Sequence, residues 1–165
     1  MGECIDGDMM AGSGEEKIIA ISDIHGYLDE AEDVLDTVSG FEGEGIQLDT
    51  FIDTSGEYWS WEGGEEYTLV FNGDLFDRGE SSEEVLRNVF TLQDDAPDGH
   101  VVYNIGNHEV FALFPDVFAD LYAEYAVESR EAMEDDRTYY WWWMEDELRE
   151  ELLERTADGR VTAAY

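Results

Sequence analysis

Three short apolar runs, each breaking off at a cluster of Asp, His or Asn, constrain this chain more than any other feature. Lys17–Ile21 (KIIAI) leads into Ser22-Asp23-Ile24-His25-Gly26. Tyr67–Phe71 (YTLVF) leads into Asn72-Gly73-Asp74-Leu75-Phe76-Asp77-Arg78-Gly79. Val101–Ile105 (VVYNI) leads into Gly106-Asn107-His108-Glu109. Runs of this length, rich in β-branched residues and bounded by turn signals, read as buried strands. Helical spacing separates them: Leu28, Ala31, Leu35 and Val38 stop at Gly40, and Val85, Leu86, Val89 and Phe90 follow an acidic first turn at Ser81-Ser82-Glu83-Glu84. Strands joined through helices run parallel, and the loops at their carboxyl ends lie side by side. The expected fold is therefore α/β, with largely parallel strands flanked by helices and three loops meeting at one rim.

The remaining segments are less constrained. Phe41 to Glu66 is acidic and Gly-rich, and reads as an irregular hairpin insertion with weak strand signals at Ile46, Leu48, Phe51 and Ile52. Its Tyr58, Trp59 and Trp61 are expected to pin it to the body rather than to face a substrate. After the third strand two helices are expected. One begins near Pro115, with Phe118, Leu121, Tyr122 and Tyr125 on one face; the other runs from about Asp136 to Arg155, its apolar side extended by Leu148, Leu152 and Leu153. The aromatic block Tyr139 to Trp143 is read as part of that packed face. Ala157-Asp158-Gly159 reads as a turn, and Arg160 to Tyr165 as a last strand.

Residues 1–16 read as a flexible leader and 17–165 as the domain. The leader lacks the basic and apolar regions of a signal peptide. No run of about 18 apolar residues exists to span a bilayer, so neither a membrane partner nor any location but the cytoplasm is expected. Cys4 is the single cysteine, which excludes an intrachain disulfide.

Charge narrows the partners. The chain holds 43 acidic residues against 8 basic ones, a formal net charge of -35, and Lys17 is its one lysine. The acid is spread from Glu3 to Asp158 rather than gathered in a tail. An aromatic content of 13% argues against a disordered solvating protein. Acid on every surface segment fits a halophilic, whole-surface adaptation to high salt, where self-repulsion is screened, better than a dedicated partner for a basic surface. Nucleic acid is disfavoured because its phosphates are repelled.

The residue types at the three clusters suit divalent metals. Carboxylate, imidazole and amide carbonyl donors match Mn²⁺ first, with Fe or Zn²⁺ as alternatives. One carboxylate can bridge two ions, and a bridged pair can clamp both oxygens of a phosphoryl transfer. Taken singly, each residue has an ordinary reading: Asp23 as a turn cap, Asp74 and Asp77 in Asx-turns, Asn107 as a helix cap, His25 and His108 as satisfied core histidines. Three clusters in order after three strands make that reading hard to hold. His100 belongs to no motif.

Asp-x-His-Gly, Gly-Asp-x-x-Asp-Arg-Gly and Gly-Asn-His-Glu, in that order, resemble the calcineurin-like metallophosphoesterases. Arg78-Gly79 and Glu109 look most like the serine/threonine phosphoprotein phosphatase branch. The resemblance covers roughly Lys17 to Val110. It implies the first half of a two-sheet sandwich and hydrolysis of phosphate monoesters by a water activated between two metals. It assigns Asp23 and His25 to the first metal, Asp74 to both, and Asn107 to the second. His108 would protonate the leaving oxygen, oriented by Asp77, and Arg78 together with Asn107 would bind the phosphate of a phosphoprotein or small ester. Family members add histidines and a second arginine from a later segment, whereas this sequence has no histidine after His108. The expectation is a domain truncated at its C-terminus; the alternative is an inactive remnant or binding domain that retains at most one metal.

Overall fold

A computed structural model of the chain describes residues 16–43, 45–114 and 144–163. Its centre is a four-stranded sheet. The strands β1 (Lys17–Ile21), β6 (Tyr67–Asn72), β7 (Val101–Ile105) and β8 (Val161–Ala163) lie in the order β1-β6-β7-β8. Every pairing is parallel: Ile19 faces Leu69, Phe71 faces Tyr103 and Tyr103 faces Val161. The α/β reading therefore holds.

The first two crossovers run through helices α1 (Leu28–Val38) and α2 (Ser82–Asp95). Their apolar stripes are the ones the spacing marks. Ala31 and Leu35 of α1 and Val85, Leu86, Val89, Phe90 and Leu92 of α2 join Leu69, Phe71, Val101 and Tyr103 of the sheet in one core. Burial of such side chains stabilises by about 1.5–3 kcal/mol each.

The insertion forms two small antiparallel pairs, β2 (Glu42–Gly43) with β3 (Ile46–Gln47) and β4 (Ile52–Asp53) with β5 (Ser60–Trp61). Trp59 pins it as expected. Its ring is 1% exposed and stacked 6.3 Å from Phe71, and its indole N–H donates to Glu32 at 3.0 Å. Tyr58, by contrast, is exposed.

Several expectations need revision. KIIAI is not fully buried: β1 lies at the end of the sheet order, its residues alternate in exposure, and Ile18 is 68% exposed. Among the described residues, its apolar run belongs to a strand with one neighbour and one covered face. A short helix α3 (Asn107–Leu113) starts directly after β7, where the sequence suggested only a loop before a helix near Pro115. The Pro115 helix and the aromatic block Tyr139 to Trp143 lie outside the described residues. The last helix, α4, is described over Asp146–Asp158. It buries Leu148 and Leu152 but leaves Leu153 exposed, because that position turns away from the core. Gly159, at φ 86°, caps it in the left-handed region.

One polar cluster fastens α4 to α2. Arg155 is 3% exposed and lies 4.5 Å over the Phe90 ring. It donates to both oxygens of Asp94 at 3.1 and 2.6 Å, to Glu151 at 3.0 and 2.7 Å, and to the Phe90 carbonyl at 3.4 Å. Arg160 adds a bond to Asp94 at 3.0 Å.

Candidate metal centre

The three loops do meet, and backbone holds them. Asp23 N–H donates to the Gly73 carbonyl at 3.1 Å, His25 N–H to Asp74 at 2.9 Å and Gly26 N–H to Leu75 at 2.8 Å. The first loop thus continues the β1–β6 pairing past the end of both strands. Glycines make the approach possible. A Cβ on Gly73 would lie 2.8 Å from the backbone of Gly106, and one on Gly79 would run into the backbone of Gly26. No side chain fits at either crossing.

The loop backbones are also strained. Among the described residues, five that are not glycine have left-handed φ: Asp23 (58°), His25 (51°), Asp74 (53°), Asp77 (81°) and Arg78 (81°). This conformation costs roughly 1–3 kcal/mol per residue and persists only where surroundings enforce it. All five are residues that the sequence marks for the site. The other two, Asn107 and His108, open α3, with Asn107 exposed and His108 buried.

His25, Asp74 and His108 come together, each offering a donor atom within 4.8 Å of the others. Bonds of about 2.0–2.2 Å would place two donors on one ion at most roughly 4.4 Å apart. The cluster therefore needs only a small contraction to hold a divalent ion, and its oxygen and imidazole donors suit Mn²⁺, Fe or Zn²⁺. The Nδ1 of His25 lies 3.4 Å from the Phe76 carbonyl. Donation there leaves Nε2 as the ligand atom, in the manner of metal-binding histidines. That Nε2 is 3.9 Å from an oxygen of Asp23, an exposed side chain at the edge of the cluster. The Oδ1 of Asp74 accepts from the His108 N–H at 3.1 Å, which ties the second loop to the third.

Behind the cluster, Asp77 is 1% exposed and its Oδ2 lies 2.9 Å from His108 Nδ1. Burial raises the Asp77 pKa, against the lowering effects of the Arg78 N–H, of His108 and of the Arg78 charge. The pair fixes the ring orientation of His108. The Asp77 loop is itself held by the buried hydroxyl of Ser82, which accepts from Asp77 N–H at 3.0 Å and donates to the Gly79 carbonyl at 3.3 Å. Arg78 is exposed. Among the described residues its guanidinium forms no ion pair, whereas Lys17, Arg87, Arg149, Arg155 and Arg160 all do. His100 is structural, with Nδ1 2.7 Å from the Tyr67 carbonyl.

Two residues of the site carry no role in the sequence reading. Ser82 reads there as part of a helix start. Glu109 reads only as a mark of the phosphatase branch; its place three residues after Gly106, where a glutamate can reach back to the helix start, is the signal that could have exposed it.

The calcineurin-like phosphoesterase family profile matches residues 16–157. The chain belongs to that family. Among solved structures, a cold-active protein tyrosine phosphatase determined at 1.1 Å is 32% identical, over 61% of this chain and 26% of that one, with a TM-score of 0.45. The cold-active protein-tyrosine phosphatase of a psychrophilic Shewanella species is 34% identical, over 61% and 26%, with a TM-score of 0.46. The chain thus spans about a quarter of the length of these structures. No curated protein matches it. Among the described residues, no helix is long and apolar enough to cross a membrane.

Proposed function

We propose that this chain carries one part of the active site of a metal-dependent phosphomonoesterase acting on phosphoproteins, of the serine/threonine type. One observation carries the reading: left-handed strain falls on five residues, Asp23, His25, Asp74, Asp77 and Arg78, and the two loops that contain them meet the start of α3 so that the donors of His25, Asp74 and His108 come together. In this reading Asp23 and His25 hold one ion, Asp74 is shared, and Asn107 serves a second ion and the substrate. Mn²⁺ is the preferred metal. The ions would supply charge neutralisation at the phosphate and acidify water. His108, its Nδ1 fixed by Asp77, delivers a proton to the leaving oxygen. Arg78, unpaired among the described residues in a chain with a large excess of acid, pairs with the phosphate through its planar fork. No side chain takes up the phosphoryl group. The acidic surface keeps nucleic acid away and suits a cytoplasm rich in salt.

A second reading has support in the donor count. Among the described residues, three clustered donors suffice for one ion but not for a tight pair, which supports a one-metal binding domain with little turnover. Mn²⁺ titration tests the common ground. Wild type should bind, and Asp74→Asn, which keeps the acceptor for His108 but removes the charge, should not. Equal binding by both would overturn the site. Release of phosphate from phosphothreonine, phosphotyrosine and p-nitrophenyl phosphate then divides the readings. Feeble turnover fits this chain alone, whereas a clear preference for phosphotyrosine would remove the serine/threonine assignment.

A further inference from the structure

Glu109 is completely buried, and its carboxylate accepts four backbone N–H groups. Oε1 takes Leu75 at 2.7 Å and Phe76 at 3.0 Å; Oε2 takes Asp74 at 3.0 Å and Gly106 at 2.7 Å. An ionised carboxylate offers about four lone-pair sites and no donor, so every site is used. The bonds join the loop of Asp74, Leu75 and Phe76, 33 to 35 residues earlier in the chain, to Gly106 at the start of its own helix. Asp74 sits at the middle of this arrangement. Its N–H goes to Glu109, its carbonyl accepts from His25, and its φ is 53°. Such a conformation needs outside enforcement, and the amides of Asp74 and its two successors are all tied to one side chain. The Tyr103 hydroxyl, fully buried, lies beside the Glu109 carboxylate at the rear.

We propose that Glu109 is the positioning residue of the metal centre: through four backbone amides it sets the strained loop that aims the Asp74 carboxylate at the ion. The inference rests on the metal-binding reading above. It does not make Glu109 a ligand, since its oxygens are fully used behind the loop.

Glu109→Gln is the sharp test. The substitution keeps shape and size, but its amide nitrogen must face two N–H donors whichever way it turns. Mn²⁺ binding by the 165-residue chain, followed by electron paramagnetic resonance of the free ion, should weaken about 10- to 100-fold, the usual cost of losing an orienting partner. Circular dichroism should still show a cooperative melt. Arg155→Met serves as the control, because it loosens α4 without touching the loops and should leave the affinity of the folded protein as it was. Absence of Mn²⁺ binding by wild type would overturn both readings. Wild-type affinity in folded Glu109→Gln, or an equal loss in Arg155→Met, would overturn this one alone. If Glu109→Gln does not fold, amide hydrogen exchange on wild type decides. The amides of Asp74, Leu75, Phe76 and Gly106 should be protected as a group and exchange more slowly still with Mn²⁺, as read by mass spectrometry. Free-peptide rates at Leu75 and Phe76, or indifference to Mn²⁺ at a concentration that the wild type binds, would overturn the proposal.

Discussion

The loop rim and the Arg155 clamp hold chain segments together by opposite means. At the rim, backbone meets backbone: glycine faces touch, amides converge on Glu109, and five side-chain-bearing residues accept left-handed strain. At the clamp the backbone is regular helix, and one side chain does the joining. Arg155 reaches Asp94, Glu151 and the Phe90 carbonyl while its plane rests on the Phe90 ring. The rim collects acid and imidazole at one point, which is costly without a cation. The clamp places a cation among acids. Of the five described arginines, four serve pairs of the clamp's kind, and Arg78 at the rim does not. Strain and unpaired charge gather where chemistry is proposed, and satisfied charge gathers where only packing is needed.

That contrast can be broken by substitution. The largest effect is expected from Gly79→Ala, whose methyl group would meet the Gly26 backbone with no flexible side chain to yield. A loss of about 3 kcal/mol, the upper range for overpacking, should appear in the denaturant midpoint. An unchanged midpoint would show that the rim is looser than its contacts suggest. Arg155→Met should cost about 2 kcal/mol, since it removes charge-assisted bonds whose acidic partners are partly solvated. Its signature is local: α4 amides should exchange faster while those of Asp74 to Gly79 do not.

Ionic strength sharpens the comparison further. With a net charge of -35, dilute buffer should weaken the fold as a whole. Rim amides should lose protection first as salt is withdrawn, because like charges meet there, while the oppositely charged clamp gains from weaker screening. Uniform loss in both regions would erase the distinction. The smallest effect concerns Asp158, whose carboxyl Arg160 holds below its ordinary range through side-chain and then backbone hydrogen bonding. A lowered folded pKa contributes stability above the unfolded carboxylate range and loses it as pH falls through the folded value. Asp158→Asn should therefore be slightly less stable than wild type at neutral pH and equal to it in acid. A difference that persists in acid would point to packing instead.

The strands, the first two helices and the place where loops meet were legible because each rests on short-range pattern: β-branched runs, helical spacing and glycines beside Asp, Asn or His. KIIAI misled because apolar content does not reveal how many neighbours a strand has. Helix α3 escapes the sequence reading because Asn107, though open to reading as a helix cap, is assigned with His108 to the site, and the next helix is placed near Pro115. Left-handed strain at residues such as His25 and Arg78 was illegible for a deeper reason. Local preference opposes it, and only contacts from distant segments, such as the Glu109 carboxylate at Asp74, enforce it.

The position of β1 has a colloidal consequence. With β6 as its one partner among the described residues and exposed Ile18 and Ala20 along it, the strand offers an outer row of backbone groups suited to pairing with a second molecule. What opposes such stacking is the negative coat, which keeps two copies apart. Near the isoelectric point, about 4.1, that barrier falls away. Concentrated salt thins it too, so the ions that steady each molecule also bring its neighbours within reach, and the solubility of this chain is set between those two demands.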